Sequence, residues 1–255
     1  MNIPPLLLIH GYPFDHSMWD HVAALLQDVT EVLAPDLRGF GDHPLPEPAP
    51  PPALGLMSDD LLKLLDEKNH ARAVLAGMSM GGYVALSFAD HYPERVAGLA
   101  LVNSQTVADT DAIRDGRRTL IETVRREGPA AAAKAAIPKL FAPANVGRPE
   151  LVRFPLQGAE KAGVAGITWA LEAMARRPDR TEVLRQLKVP TLILHGSEDQ
   201  FIPVERARNL ASTIPSAQYV ELPGVGHASP LEAPEAVAGA LRDLLGRVAA
   251  SGKPA

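Results

Sequence analysis

Six short apolar runs, each closed by turn residues, constrain this chain more than anything else in it: Pro5–Ile9, Glu31–Ala34, Ala73–Ala76, Ala97–Val102, Thr191–Leu194 and Gln218–Leu222. Most are continuously apolar and do not alternate, as strands covered on both faces must be. Between them lie stretches of helical periodicity: Trp19–Leu26, Asp59–Asp66 behind Ser58 as N-cap, Gly82–His91, Val204–Ala211 and Pro234–Val248. Strand and helix take turns, so the spacing predicts an α/β fold with a mostly parallel sheet and helices on both sides. One interval breaks that rhythm. From Gln105 to Arg185 there is no strand-like run, only helical text such as Arg117–Glu127 and Gly128–Ala136. The chain therefore divides into a core of residues 1–104 and 186–255 and a helical insertion of residues 105–185. Pro44–Pro52 is dense in proline and predicts a stiff surface loop.

Composition narrows the function classes. A length of 255 residues, 46% apolar and 22% charged, suits one sizeable globular core. A net charge of −5, with no basic tail, argues against a nucleic-acid partner. Cysteine is absent, which removes disulfides, thiol nucleophiles and thiolate metal sites and suits a reducing cytoplasm. The apolar run Leu6–Ile9 is too short to span a membrane and lacks the flanks of a signal peptide. The expectation is a soluble cytoplasmic protein, with neither nucleic acid nor membrane as partner.

Gly77-Met-Ser-Met-Gly81 matches G-x-S-x-G, with a strand before it and a helix after it. A strand that turns straight into a helix crowds two backbones at the corner, which explains glycine on either side of the apex. The apex residue, Ser79, projects at the C-terminal edge of the sheet, where open α/β sheets bind ligands. A serine hydroxyl is a poor nucleophile alone; it needs a histidine base and a carboxylate to orient that base. In such a sheet the chain order is Ser, then acid, then His. His195-Gly-Ser-Glu-Asp199 follows the strand at Thr191, and Gly226-His227 follows the strand at Gln218. Asp199 is the expected acid, with Glu198 the alternative, and His227 the expected base. Two backbone donors must also face the oxygen that becomes negative. Met80 N–H, after the nucleophile, is one. Tyr12 N–H, in the loop His10-Gly-Tyr-Pro-Phe14 after the first strand, is the other. His10 itself is read as structural.

Together these segments resemble the α/β-hydrolase family. His10-Gly11, Asp36-Leu-Arg-Gly-Phe-Gly41, Gly77–Gly81, His195–Asp199 and Gly226-His227 stand in family order and span nearly the whole chain. His10–Trp19 is similar to the segment found in small bacterial carboxylesterases, enol-lactone hydrolases and cofactor-free haloperoxidases or perhydrolases. The resemblance implies an α/β-hydrolase fold with a helical cap at the insertion and a sheet of about six strands. The expected count is low because the resemblance would place the family's usual N-terminal hairpin ahead of His10, where this sequence offers too few residues for it, and the strand at Glu31 would then be an exposed edge. It further implies a serine esterase that needs no metal or organic cofactor and cleaves a small-molecule carboxylic ester. A lactonase, a perhydrolase or a slow-turnover ligand receptor of the same fold are the alternatives.

Substrate choice is expected in the cap, with Tyr12 and Trp169 as pocket residues and Phe141, Phe154 and Met174 as further apolar candidates for its roof. Residues 105–190 hold 15 of the 25 basic residues against 10 acidic ones, so this segment is net +5 and the remainder −10. An anionic acyl group, or an acidic carrier protein bearing the substrate, would be drawn to it. Solvated helix faces with dispersed charge are the plainer account. The oligomeric state is left open.

Overall fold

A computed structural model describes residues 3–214 and 216–251. The strands are β1 (Leu6–Ile9), β2 (Val32–Leu33), β3 (Ala73–Met78), β4 (Val96–Val102), β5 (Thr191–Gly196) and β6 (Ala217–Leu222). The helices are α1 (Asp20–Ala24), α2 (Leu54–Glu67), α3 (Met80–His91), α4 (Asp111–Glu127), α5 (Ala130–Leu140), α6 (Pro149–Ala175), α7 (Thr181–Gln186), α8 (Val204–Thr213), α9 (Ser229–Glu232) and α10 (Pro234–Ser251).

Among the described residues the strands form one six-stranded sheet, ordered β2-β1-β3-β4-β5-β6 and parallel throughout. Alternate side chains supply two cores, which is why the strands read as unbroken apolar runs. Leu7, Ile9, Leu75, Leu99 and Leu101 pack toward α2 and α3. Leu6, Leu8, Val74, Ala76, Leu192 and Leu194 pack toward α1 and α10, where Val22, Leu241 and Leu245 close the layer. Each such fully buried leucine is worth roughly 1.5–3 kcal/mol.

Two expectations need adjustment. Helix α2 begins at Leu54, and Ser58 is no cap: it is buried within the helix, where its hydroxyl donates to the Leu54 and Val84 carbonyls. Leu54, Met57, Leu61 and Leu65 form one apolar face against the core, so packing carries the helix back past the polar signal. The edge strand β2 pairs over only Val32 and Leu33, both half-buried.

The insertion between β4 and β5 holds α4 to α7. Helices α4, α5 and α6 pack on one another, whereas α7 packs on α3 and its Leu184 joins the core beneath. The expected boundary at residue 185 thus falls inside a helix of the core side. Helix α6 is interrupted at Gly163, whose φ of 64° is a left-handed conformation that glycine adopts without strain.

Candidate active site

The corner between β3 and α3 is as tight as its glycines imply. A side chain at Gly77 would strike the backbone of Gly81 and Gly82; one at Gly81 would strike the carbonyls of Ile9 and His10 on the neighbouring strand. Ser79 is held at φ 51°, ψ −113°, a region costly for any residue but glycine. Its own N–H donates to Val102 O, and its carbonyl accepts from Gly82 N and Tyr83 N, so the strain is fixed from both sides. That backbone sets Ser79 at the amino end of α3, immediately after the C-terminal end of β3.

Three loops at that edge meet. Ser79 Oγ lies 2.8 Å from His227 Nε2, and His227 Nδ1 lies 2.7 Å from Asp199 Oδ2. Asp199 is buried; its Oδ1 accepts from Phe201 N at 2.8 Å and Ile202 N at 2.9 Å, and Oδ2 also accepts from Asn103 Nδ2 at 3.0 Å. Burial pushes its carboxyl up, but the His227 charge and hydrogen bond, with His195 and Asn103, outweigh this and hold it below the usual carboxylate range. Glu198, the alternative acid, is exposed. Neither the Met80 nor the Tyr12 backbone N–H has an acceptor among the described residues. The Tyr12 loop lies against the elbow: a Cβ on Gly11 would sit 3.4 Å from Ser79 Cβ.

Three groups in this site escaped the sequence. Asn103, at φ 45° just past β4, donates from Nδ2 to Asp199 Oδ2 and to Gly226 O, while its Oδ1 accepts from Ser229 Oγ. Phe201 places its ring 5.0 Å from the His227 ring. Glu232 accepts from Gly226 N, Ala142 N and Asn145 Nδ2, which ties the histidine loop to the insertion; burial pushes its carboxyl up. A polar residue directly after an apolar strand was the one signal for Asn103. His10 is buried, donating from Nδ1 to Gly11 O and accepting at Nε2 from Leu37 N–H, as suits a structural residue.

A cavity of about 440 Å³ opens over Ser79 and His227. Its floor includes Tyr12 and Tyr83, and Leu120, Leu140, Leu171 and Met174 form an apolar roof from α4, α5 and α6. Trp169 is not part of it, which corrects the expected pocket role. The indole Nε1 instead donates to Pro50 O at 2.8 Å, so the ring pins α6 to the proline-rich loop. Phe141 and Phe154 also pack away from the cavity, in the apolar layer with α10; of Phe141, Phe154, Trp169 and Met174 only Met174 lines it.

A parallel sheet carrying a serine elbow, with histidine and acid loops at the same edge, is the architecture of a hydrolase. The chain belongs to the alpha/beta hydrolase fold family, whose pattern it matches over residues 4–234. Its structure resembles that of a thermophilic esterase from Thermogutta terrifontis with malate bound, at TM-score 0.90 and 39% identity, covering 97% of this chain and 91% of that one. It is 27% identical to a pimeloyl-(acyl-carrier protein) methyl ester esterase of Aromatoleum aromaticum, over 96% of this chain and 99% of the relative. It is 26% identical to 3-oxoadipate enol-lactonase 2 of Acinetobacter baylyi, over 91% of this chain and 85% of the relative. The chain spans only 61% of another relative, a dihydrolipoyllysine-residue acetyltransferase component of an acetoin cleaving system in Pseudomonas putida, at 32% identity. Among the described residues no helix is long and apolar enough to cross a membrane.

Proposed function

We propose that the protein is a serine hydrolase of carboxylic esters, with Ser79 as nucleophile, His227 as base and Asp199 as the orienting acid. The observation that carries this reading is the pair of hydrogen bonds, 2.8 Å and 2.7 Å, that links the three side chains across loops far apart in sequence. His227 takes the hydroxyl proton as Ser79 Oγ attacks the ester carbonyl, and Asp199 stabilises the imidazolium that results. The Met80 and Tyr12 N–H groups receive the oxyanion, where each donor is worth roughly 10²–10³ in rate. His227 returns its proton to the leaving alcohol. Water then attacks the acyl-enzyme by the same route and releases the acid.

The test is labelling with a fluorophosphonate followed by peptide mapping, alongside steady-state hydrolysis of a short p-nitrophenyl ester. Label is expected on Ser79, with both label and turnover abolished in Ser79→Ala. Label elsewhere, or one acylation without further turnover, rejects the esterase; the second outcome would fit a ligand receptor of this fold. The enol-lactonase relative supports a lactone as alternative substrate for the same groups. The relative named for an acyl-carrier-protein ester gives reason to include a carrier-bound acyl ester in the panel. The cysteine-free composition supports a reducing, cytoplasmic setting.

A further inference from the structure

The wall of the cavity that faces Ser79 from the insertion is not wholly apolar. Asp109, just before α4, is buried between two guanidinium groups: Arg117 Nε lies 2.7 Å from its Oδ2, and Arg177 Nη1 2.7 Å from its Oδ1. One carboxylate facing two permanent cations leaves a positive charge over. Both terminal nitrogens of Arg177 are engaged: it lies over the Tyr83 ring at 4.0 Å and donates from them to the Met174 and Val107 carbonyls. Those of Arg117 are not. Only its Nε is engaged, and its two terminal nitrogens have no partner among the described residues. Its side chain keeps 18% exposure and lines the cavity together with Asp109, Tyr83 and Lys139. Lys139 likewise pairs with no carboxylate among the described residues. Arg117 also lines a groove on the outer face of α4 and α6, where Arg114, Arg118, Arg125 and Arg176 stand against Glu122 and Glu172. The arginine-rich groove of α4 and α6 therefore meets the cavity at Arg117, and Lys139 adds a second positive charge to the cavity wall.

A guanidinium anchored through Nε, with its terminal fork free and partly desolvated, is the geometry that accepts a carboxylate through two parallel hydrogen bonds. The apolar roof of Leu120, Leu140, Leu171 and Met174 suits a short methylene chain between that carboxylate and the reacting carbonyl. We propose that Arg117 is a specificity-determining residue that binds a second carboxylate on the acyl group, so that the preferred substrates are monoesters of short dicarboxylic acids. This deepens the esterase reading and rests on it.

Two p-nitrophenyl esters of equal chain length separate the possibilities: the hydrogen glutarate, which carries a carboxylate, and the pentanoate, which does not. The wild type is expected to favour the glutarate in kcat/KM. Arg117→Gln is expected to lower the glutarate-to-pentanoate ratio by about 10-fold or more, with the loss mainly in KM. Arg117→Lys, which keeps the charge beside Asp109 but lacks the fork, should retain part of the preference and serves if the glutamine variant does not fold. An unchanged ratio in both variants, or a wild type that favours the pentanoate, overturns the proposal. If neither ester is turned over, the esterase reading has failed on its own. Titration calorimetry with free glutarate then decides the subsite without turnover: heat that is lost in Arg117→Gln supports it, and no heat from the wild type rejects it.

Discussion

Asn103 holds three parts of the site with a single amide. Its Nδ2 serves the acid and the carbonyl next to the base, and its Oδ1 receives Ser229 at the start of α9. A donor to a charged acceptor is worth roughly 1.5–3 kcal/mol, so on the proposed mechanism Asn103→Ala should lower kcat by about 10–100-fold with little change in KM. Asp199 keeps its two backbone donors and His227, so the variant should fold. Steady-state kinetics on folded protein check this; a lower melting temperature with unchanged kcat would mean that Asn103 only braces the loops. Its place in the site was not legible in advance. Ser79, Asp199 and His227 stand out in the sequence because each sits in a turn whose residue types are demanded by geometry or chemistry. Asn103 is one polar residue after an apolar strand, and no periodicity marks it. Glu198 and Asp199 were distinguishable only in part, since two adjacent acids differ in burial and not in text.

At the scale of elements, the strands were plain because two-sided burial writes itself as an unbroken apolar run, whatever lies above and below. Helix ends were less plain. Helix α2 starts before its polar signal since four apolar contacts outweigh a cap worth about 1 kcal/mol. The insertion was legible as helical, but which of its aromatics face the cavity depends on how α6 is rotated, and the sequence alone does not record that. Trp169 shows the consequence. As its indole bonds Pro50 and not the cavity, Trp169→Phe should destabilise the protein by about 0.5–1.5 kcal/mol, the worth of one neutral hydrogen bond. The chain-length preference toward p-nitrophenyl esters should stay as in the wild type. Urea unfolding and a kcat/KM series over acyl length measure the two effects. A shifted length optimum would return Trp169 to the pocket.

For the molecule as a whole, three histidines contribute to how stability follows pH around 6.5. His10 and His195 are both buried, and that burial lowers their pKa below the ordinary 6.5. His10 is fixed as neutral by accepting from Leu37 N–H, and His195 donates from Nε2 to Ile202 O at 2.8 Å. Below pH 6.5 the unfolded chain therefore takes up protons at these sites that the folded chain refuses, and stability falls as pH drops toward the folded values. His16 acts in the opposite sense. Burial lowers its pKa, but the hydrogen bond and charge of Asp36 outweigh that and raise it. Its contribution is complete below 6.5 and is lost as pH rises through the folded value. The two trends meet, so these residues place the stability maximum near pH 6.5. Each buried histidine adds at most about 1.4 kcal/mol per pH unit on the acid side. Urea unfolding at about pH 5, 6.5 and 8 should show this slope, and His10→Asn, which keeps a donor and an acceptor but cannot titrate, should roughly halve it. A stability that is flat between about pH 5 and 6.5 would mean that the buried rings protonate in place. The protein would then have to absorb two positive charges beneath the very loops that hold Tyr12 and Asp199.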